Sequence, residues 1–234
     1  FSQNFTTATD SLNTGVGHNA GAQITTGIDN TLVGGLAGDA LTVGNNNVAM
    51  GRSALTTDTK GDRAVAIGNY ALNAQNFTTT TDNYNVAVGY SAGLSVTTGV
   101  ENTLIGGEAG DALTDADYNV GVGYRALGAD TRGSRSVAVG RSALANQNQT
   151  TATNTYNVAV GYAAGSGMST GIQNTLIGGL AGDALTDADI NVAVGYGALS
   201  SDTLGSKSVA VGKNALFSQN FTTATDSLNT GVGH

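Results

Sequence analysis

The sequence lacks several residue types, and each absence excludes a class of protein. There is no cysteine and there are only two histidines, so neither a disulfide framework nor a zinc site of ordinary ligands is expected, and no cofactor motif is present. Charged residues make up 11% of the chain, yet hydrophobic residues reach 40%, which argues against a solvated disordered chain. No apolar run approaches the ~20 residues of a membrane helix. We therefore expect no membrane insertion.

The charge balance is acidic, with 9 basic residues against 17 acidic ones. Nucleic-acid binding is disfavoured because the phosphates would be repelled. Proline is absent as well, which is compatible with strands whose backbone amides all pair with a neighbouring strand.

Glycine is abundant, with 35 residues, and many of these glycines close a recurring motif of the type Asn-Val-Ala-Val-Gly. The motif glycines are separated by three intervals of 17 and then one of 21, and this series starts again at Gly89 and at Gly161, so the pattern has a 72-residue period. Residues 1–18 are identical to residues 217–234. We expect one continuous domain over residues 1–234, with three 72-residue super-repeats of four coils, as a fragment of a longer array.

Each motif predicts a short β-strand, because β-branched residues alternate with small ones. A 17-residue unit is too short for a crossover helix and fits one coil of a solenoid. The predicted fold class is therefore all-β, a parallel β-solenoid of 17/17/17/21-residue coils. The β-branched residues are expected to form the strand core: Val65, Ile67, Val86, Val88, Val137, Val139, Val158, Val160, Val192, Val194, Val209 and Val211.

The motif glycines are expected to be corners, since glycine permits sharp turns and close backbone approach. They are Gly17, Gly34, Gly51, Gly68, Gly89, Gly106, Gly123, Gly140, Gly161, Gly178, Gly195 and Gly212, followed by Gly233. The Ala-Leu pairs that follow several of them, such as Ala143-Leu144, are expected to face inward. Asparagines that recur in the motif, such as Asn85 and Asn157, are expected to stack as a ladder. Polar stretches such as 75–83 are expected to bulge from every fourth coil.

The middle residue of each strand is small or apolar in every copy. If the valines face inward, this residue lies on the opposite face, and a strand that is apolar on both faces is normally buried on both. We therefore expect an inter-chain seam formed by Ala49, Ala66, Ala87, Leu104, Ala138, Ala159, Leu176, Ala193 and Ala210. The alternative is a monomeric solenoid with this stripe in solvent.

Two segments carry a family resemblance, Ser136-Val137-Ala138-Val139-Gly140 and Ala64-Val65-Ala66-Ile67-Gly68. They resemble the head repeat of YadA-like trimeric autotransporter adhesins, and arrays like residues 191–199 resemble phage tail-fibre repeats. The resemblance implies a left-handed β-roll, a trimer, and an extracellular location on a bacterial cell surface or a virion tail fibre. The coils here are longer than the autotransporter head repeat, and bacterial and phage origins stay open.

No catalytic residue and no metal site is predicted. His18 and His234 occupy a repeat position that elsewhere holds tyrosine. Asp58, Asp130 and Asp202 are expected to stabilise turns, and Asp39, Asp111 and Asp183 to be turn or cap residues. The pairs Asp115/Asp117 and Asp187/Asp189 are interpreted as a solvated acidic edge, with a calcium site as the alternative. Tyr90, Tyr124, Tyr162 and Tyr196 are possible glycan contacts, or clamps between neighbouring coils or chains.

These observations predict a non-enzymatic fibre or shaft segment of an extracellular adhesin or phage tail fibre, which provides length, stiffness and surface attachment. The expected partners are copies of the same chain and a glycan or protein on a host surface. Two alternatives stay open: a self-assembling extracellular filament subunit, and a tailspike-like β-helix that binds or degrades glycans.

Overall fold

The structure, a computed structural model, describes residues 10–234. This part of the chain is all-β and forms a parallel β-solenoid, which confirms the predicted fold class. The strands are β1 (Thr14–Val16), β2 (Thr31–Val33), β3 (Val48–Met50), β4 (Gly61–Asp62), β5 (Val65–Ile67), β6 (Thr81–Asp82), β7 (Val86–Val88), β8 (Thr103–Ile105), β9 (Val120–Val122), β10 (Gly133–Ser134), β11 (Val137–Val139), β12 (Thr153–Asn154), β13 (Val158–Val160), β14 (Thr175–Ile177), β15 (Val192–Val194), β16 (Gly205–Ser206), β17 (Val209–Val211), β18 (Thr225–Asp226) and β19 (Thr230–Val232).

The chain divides into two compact units, residues 1–117 and 118–234. In the first, the motif strands stack in the order β1-β2-β3-β5-β7-β8; in the second, the order is β9-β11-β13-β14-β15-β17-β19. Paired strands are parallel and offset by one coil, as in Thr31↔Val48 and Val65↔Val86. The two-residue strands pair separately as β4-β6, β10-β12 and β16-β18. Continuity of one solenoid over residues 1–234 stays a prediction.

The faces of the motif strands are the reverse of those predicted. The β-branched residues Val65, Ile67, Val86, Val88, Val137, Val139, Val158, Val160, Val192, Val194, Val209 and Val211 are half-buried or exposed. They point away from the interior of the coil, so the prediction that they form the core is wrong. The reason is space. Opposite walls of a thin coil lie close together, so most strands place alanine between them, and where the inward residue is larger, as at Leu104, a glycine such as Gly110 lies against it.

The predicted seam is wrong for the same reason. Its residues, Ala49, Ala66, Ala87, Leu104, Ala138, Ala159, Leu176, Ala193 and Ala210, are all 0% exposed within the single chain. They belong to the same core clusters as the Ala-Leu pairs, of which Ala143 and Leu144 are also fully buried. These residues are therefore not available to a second chain.

The interior also contains the asparagine ladder expected from the motif. Asn174 illustrates the bonding: its Oδ1 accepts from the backbone N–H of Asn191 at 2.9 Å, and its Nδ2 donates to the carbonyl of Ala188 at 2.8 Å and to Oδ1 of Asn157 at 3.3 Å. Each buried amide thus ties its own coil to a neighbouring coil. Because buried polar groups must be paired, the ladder fixes the register as well as the spacing.

The motif glycines lie directly after the strands, where the predicted corners fall. From Gly17 to Gly233 they have φ between +126° and +143°. The chain then turns through further left-handed residues, among them Leu144 with φ of +49°, before it reaches the next side of the coil.

Candidate functional site

The outward face of the motif strands is left uncovered by the coils. In the second unit it carries two β-branched residues from most strands, for example Val158 and Val160 on β13 and Val192 and Val194 on β15. Exposure reaches 40% at Ile177 and 36% at Val160. Such a flat parallel-sheet face is normally covered in folded proteins.

Rows of tyrosine and arginine border this face on both sides. On one side, the guanidinium carbon of Arg135 lies 4.7 Å from the ring centre of Tyr118 and 6.0 Å from that of Tyr156. On the other side, Arg141 lies 5.8 Å from the ring of Tyr124 and 5.7 Å from that of Tyr162. Each arginine is thus held between tyrosines of the two adjacent coils by cation–π attraction. An apolar strip with aromatic and arginine borders is the composition typical of a protein–protein interface.

The tyrosines predicted as possible glycan contacts are all exposed: Tyr90 by 59%, Tyr124 by 44%, Tyr162 by 55% and Tyr196 by 56%. Tyr124 and Tyr162 stack on Arg141. Tyr162 and Tyr196 stand two coils apart, and Gly179 occupies the equivalent position between them. Their rings can take part in stacking with a flat ligand or in contacts with another chain.

Three buried carboxylates anchor the 21-residue coils. Asp130 is 0% exposed; its Oδ1 accepts from the backbone N–H groups of Gly133 (3.0 Å) and Gln149 (3.1 Å), and its Oδ2 accepts from Nε2 of Gln147. Oε1 of Gln147 accepts in turn from Nδ2 of Asn157 at 2.8 Å. Asp58 with Gln75, and Asp202 with Gln219, form the same arrangement.

The predicted turn bond from each of these aspartates is therefore present, but the sequence reasoning missed the glutamine partners. The signal was available, because Gln75, Gln147 and Gln219 each follow their aspartate by exactly one 17-residue coil. The network is structural, since it is buried and its hydrogen bonds hold the start of the longer coil.

Asp39 and Asp183 occupy the same position in two identical segments, residues 34–42 and 178–186, but have different surroundings. The carboxylate of Asp39 accepts a hydrogen bond from the hydroxyl of Thr56. Oδ1 of Asp183 is buried with no hydrogen-bond partner in the described part of the chain. Burial raises the pKa of Asp183, and a hydrogen bond from its own backbone amide opposes the rise.

Replacement of Asp183 by asparagine is expected to stabilise the chain at pH 7. A raised pKa means that the folded state favours the protonated form, so stability is lost as the pH rises through the folded pKa. The Asp183→Asn variant removes this loss at pH 7 and gives no gain near pH 3, where the carboxyl group is largely protonated in both states. Thermal unfolding at the two pH values measures the difference.

The matched variant Asp39→Asn keeps an oxygen acceptor for Thr56 and should show no gain in stability. Equal gains in both variants would contradict the explanation.

Three of the four aspartates in the predicted acidic pairs bond to a neighbouring coil, and Asp115 bonds to the adjacent residue. Oδ1 of Asp117 accepts from the backbone N–H of Val100, and Oδ1 of Asp189 accepts from that of Ile172, both at 2.8 Å. Asp187 accepts from the hydroxyl of Thr170, and Asp115 from that of Thr114. No group of three or more His, Cys, Asp or Glu residues that could hold a metal ion occurs within residues 10–234. His18 and His234 are exposed, at different ends of the sequence.

Comparisons with family models, curated proteins and solved structures give no match for this chain. Among the described residues, no helix is long and apolar enough to cross a membrane.

Proposed function

We propose that the chain is a non-enzymatic structural segment of an extracellular fibre, an adhesin head or a phage tail-fibre shaft, in which three chains associate side by side. The observation that carries the proposal is the outward row of valine and isoleucine on the motif strands. The number three, and the location on a bacterial surface or virion, follow the resemblance of the motif to trimeric adhesin repeats.

Because the alanines of the motif strands are buried within the single chain, the proposed contact between chains is formed by the outward β-branched residues. Val158, Val160 and Ile177 are half-buried or exposed in the single chain, and association would remove them from water at a gain of roughly 25 cal/mol per Å² of apolar area. The flanking tyrosines and arginines would form the polar border of the same contact.

The outward face of the second unit offers the centre of such a contact. Its seven motif strands, each about 4.8 Å from its neighbour and about 10 Å long over three residues, present on the order of 340 Å². The bordering rows of tyrosine and arginine widen it. Specific interfaces bury about 800 Å² per partner, so this strip would form the apolar centre of a contact with a second copy of the chain, and the tyrosines and arginines its border.

A charge placed on the outward face is expected to separate the chains without unfolding them. In the Ile177→Asp variant, a carboxylate would have to be buried between chains, which is strongly unfavourable, whereas in the single chain this side chain already faces solvent by 40%. Sedimentation velocity is expected to show loss of the associated species, with unchanged strand content by circular dichroism.

Phe217→Asp is the control. Phe217 is 47% exposed but follows the Ala215-Leu216 pair, outside the motif strands and the two bordering rows, and the polar residue Ser200 occupies the equivalent position of the preceding coil. This variant places the same carboxylate away from the proposed contact and should leave association unchanged. If both variants associate like the parent chain, the outward face is not the contact.

Surface attachment is a second candidate role, favoured by the exposed rings of Tyr162 and Tyr196 on either side of Gly179. Aromatic rings of this kind stack on the apolar faces of sugars, and the partner would be a host glycan or protein. Glycan-array binding that is lost in a Tyr162→Ala, Tyr196→Ala double variant supports this role, and release of reducing ends from a bound glycan would instead support a degrading enzyme.

A further inference from the structure

One sequence pattern is confined to the longer coils and is not explained by the fibre function. The triplet Asn-x-Thr occurs at Asn4, Asn76, Asn148 and Asn220, once in every 72-residue period, and the triplet Asn-x-Ser/Thr occurs nowhere else in the sequence. Asn4 lies outside the described residues. The triplet is the acceptor pattern for N-linked sugar, and its use requires a surface position.

The structure presents the triplet in the orientation that modification needs. Gln147 and Gln149 point inward, with 0% and 6% of their surface exposed. Asn148, which lies between them, and Thr150, which follows, are both exposed. Alternate residues of an extended chain share a face, so the asparagine and the threonine of the triplet both lie on the outer side. Asn220 and Thr222 are likewise exposed, and Asn76 is half-buried, with Thr78 exposed.

The buried network described above keeps this segment in place. Asp130 binds the side chain of Gln147 and the backbone N–H of Gln149, which are the residues on either side of Asn148. Oδ1 of Asn148 accepts from the hydroxyl of Thr131 at 3.1 Å, and Nδ2, the atom that bonds to sugar, has no hydrogen bond in the described part of the chain. The ladder asparagines differ: Asn174, for example, is buried and its Nδ2 donates to the carbonyl of Ala188.

We propose that Asn76, Asn148 and Asn220 are sites of N-linked glycosylation, and that the 21-residue coil exists in part to display them. The donor is a sugar activated as a 1-diphosphate, carried on a nucleoside or on a polyprenyl lipid. In the transfer, the bond between Nδ2 and C1 of the sugar forms, the bond between C1 and the diphosphate oxygen breaks, the diphosphate leaves, and the amide proton passes to a base of the transferase.

The arrangement gives the sugars a regular spacing. Asn148 and Asn220 lie four coils apart in the second unit, which is about 19 Å at the strand spacing of a sheet. Sugars there would cover the threonine-rich segments, such as residues 150–153, that the longer coils leave in solvent. The proposal does not depend on the number of associated chains or on the fibre function.

Mass spectrometry of the chain made by its own host tests the proposal. Peptides that contain Asn76, Asn148 and Asn220 are expected to carry sugar on the asparagine. Additions in steps of one hexose would indicate a nucleoside-linked donor, and a single large preassembled glycan a lipid-linked donor. Unmodified asparagine at all three positions would overturn the proposal.

Two variants separate the triplet from the fold. Thr150→Ala removes the triplet at Asn148 but changes only an exposed side chain, and it should abolish the modification of Asn148 while Asn76 and Asn220 keep theirs. Thr150→Ser preserves the triplet and should preserve the sugar. Thermal unfolding of both variants should match that of the parent chain. Sugar that remains on Asn148 in Thr150→Ala, or that lies on the threonines instead, would contradict the assignment.

Discussion

Replacement of Gly34 by alanine is expected to destabilise the first unit by about 2–6 kcal/mol. Gly34 has φ of +135°, a conformation that costs other residues about 1–3 kcal/mol. A Cβ atom built at this position would lie 2.5 Å from the carbonyl oxygen and 2.7 Å from the carbonyl carbon of Gly51 in the next coil. Because these are backbone atoms, the coils themselves would have to move apart, at a further cost of about 1–3 kcal/mol. The shift in the denaturant midpoint measures the loss.

The adjacent glycine provides the control. A Cβ atom at Gly35 would meet nothing within 4 Å, and equivalent positions in other coils carry Arg52 and Tyr124. Gly35→Ala is therefore expected to change the free energy of unfolding by no more than the usual surface substitution, within about 0.5 kcal/mol. Equal losses of unfolding free energy in the two variants would mean that the close approach of the coils at Gly34 is not the cause of the destabilisation.

Replacement of Asp130 by alanine is expected to cost about 2–6 kcal/mol in the second unit. The carboxylate accepts from two backbone N–H groups and from the side chain of Gln147, all in a fully buried environment. Each buried donor left without a partner costs about 1–3 kcal/mol. Gln147 keeps its bond to the hydroxyl of Ser136 at 3.0 Å, so the two backbone amides carry most of the loss. Chemical denaturation followed by circular dichroism checks the value.

Two further variants test whether the buried hydrogen bonds of Asp130 cause the loss of stability. Asp130→Asn keeps one oxygen for the backbone amides but turns an NH₂ group toward Nε2 of Gln147, so an intermediate loss is expected. Asp187→Ala removes an exposed carboxylate of the same unit and should cost less than about 1 kcal/mol. A loss at Asp130 no larger than that at Asp187 would contradict the role of the buried network.

The repeat period made most of the fold predictable. The regular intervals between motif glycines place every strand one coil from the next, and the register Val65↔Val86 follows directly from that spacing. The turn at Asp130 was predictable for a local reason, because an aspartate three residues before a glycine can bond to its backbone N–H.

The faces of the strands could not be read from alternation, because both faces are apolar. Greater hydrophobicity favours valine inside, but in most coils a leucine from the turn already fills the interior and the strand has room only for alanine. The sequence nevertheless indicates which face is inward. Where the middle residue of a strand is alanine, as at Ala138, the residue six positions later can be a leucine. Where the middle residue is Leu104 or Leu176, the residue at that distance is Gly110 or Gly182. A Cβ atom at Gly110 would lie 2.7 Å from Cδ2 of Leu104, so the two positions share one volume inside the coil.

A contact between chains stays a prediction, but the face first predicted for it is wrong. Apolar residues on both sides of the strand indicated a contact between chains, and that reasoning did not depend on which side was internal. Burial of Ala159 and exposure of Val160 in the same strand leave only the β-branched side for such a contact. The bordering rows of Tyr124, Arg141 and Tyr162 were not recognised as an interface border, because cation–π pairs between coils need the coil register to be known.

Sedimentation equilibrium of the 234-residue chain at several concentrations tests the central claim, that copies of this solenoid associate through their outward valines. One chain has a mass of 23.2 kDa, so the proposed trimer is expected at three times that mass, and its Ile177→Asp variant near the mass of one chain. A mass of one chain for the parent protein at every concentration, with the fold intact by circular dichroism, would contradict the account.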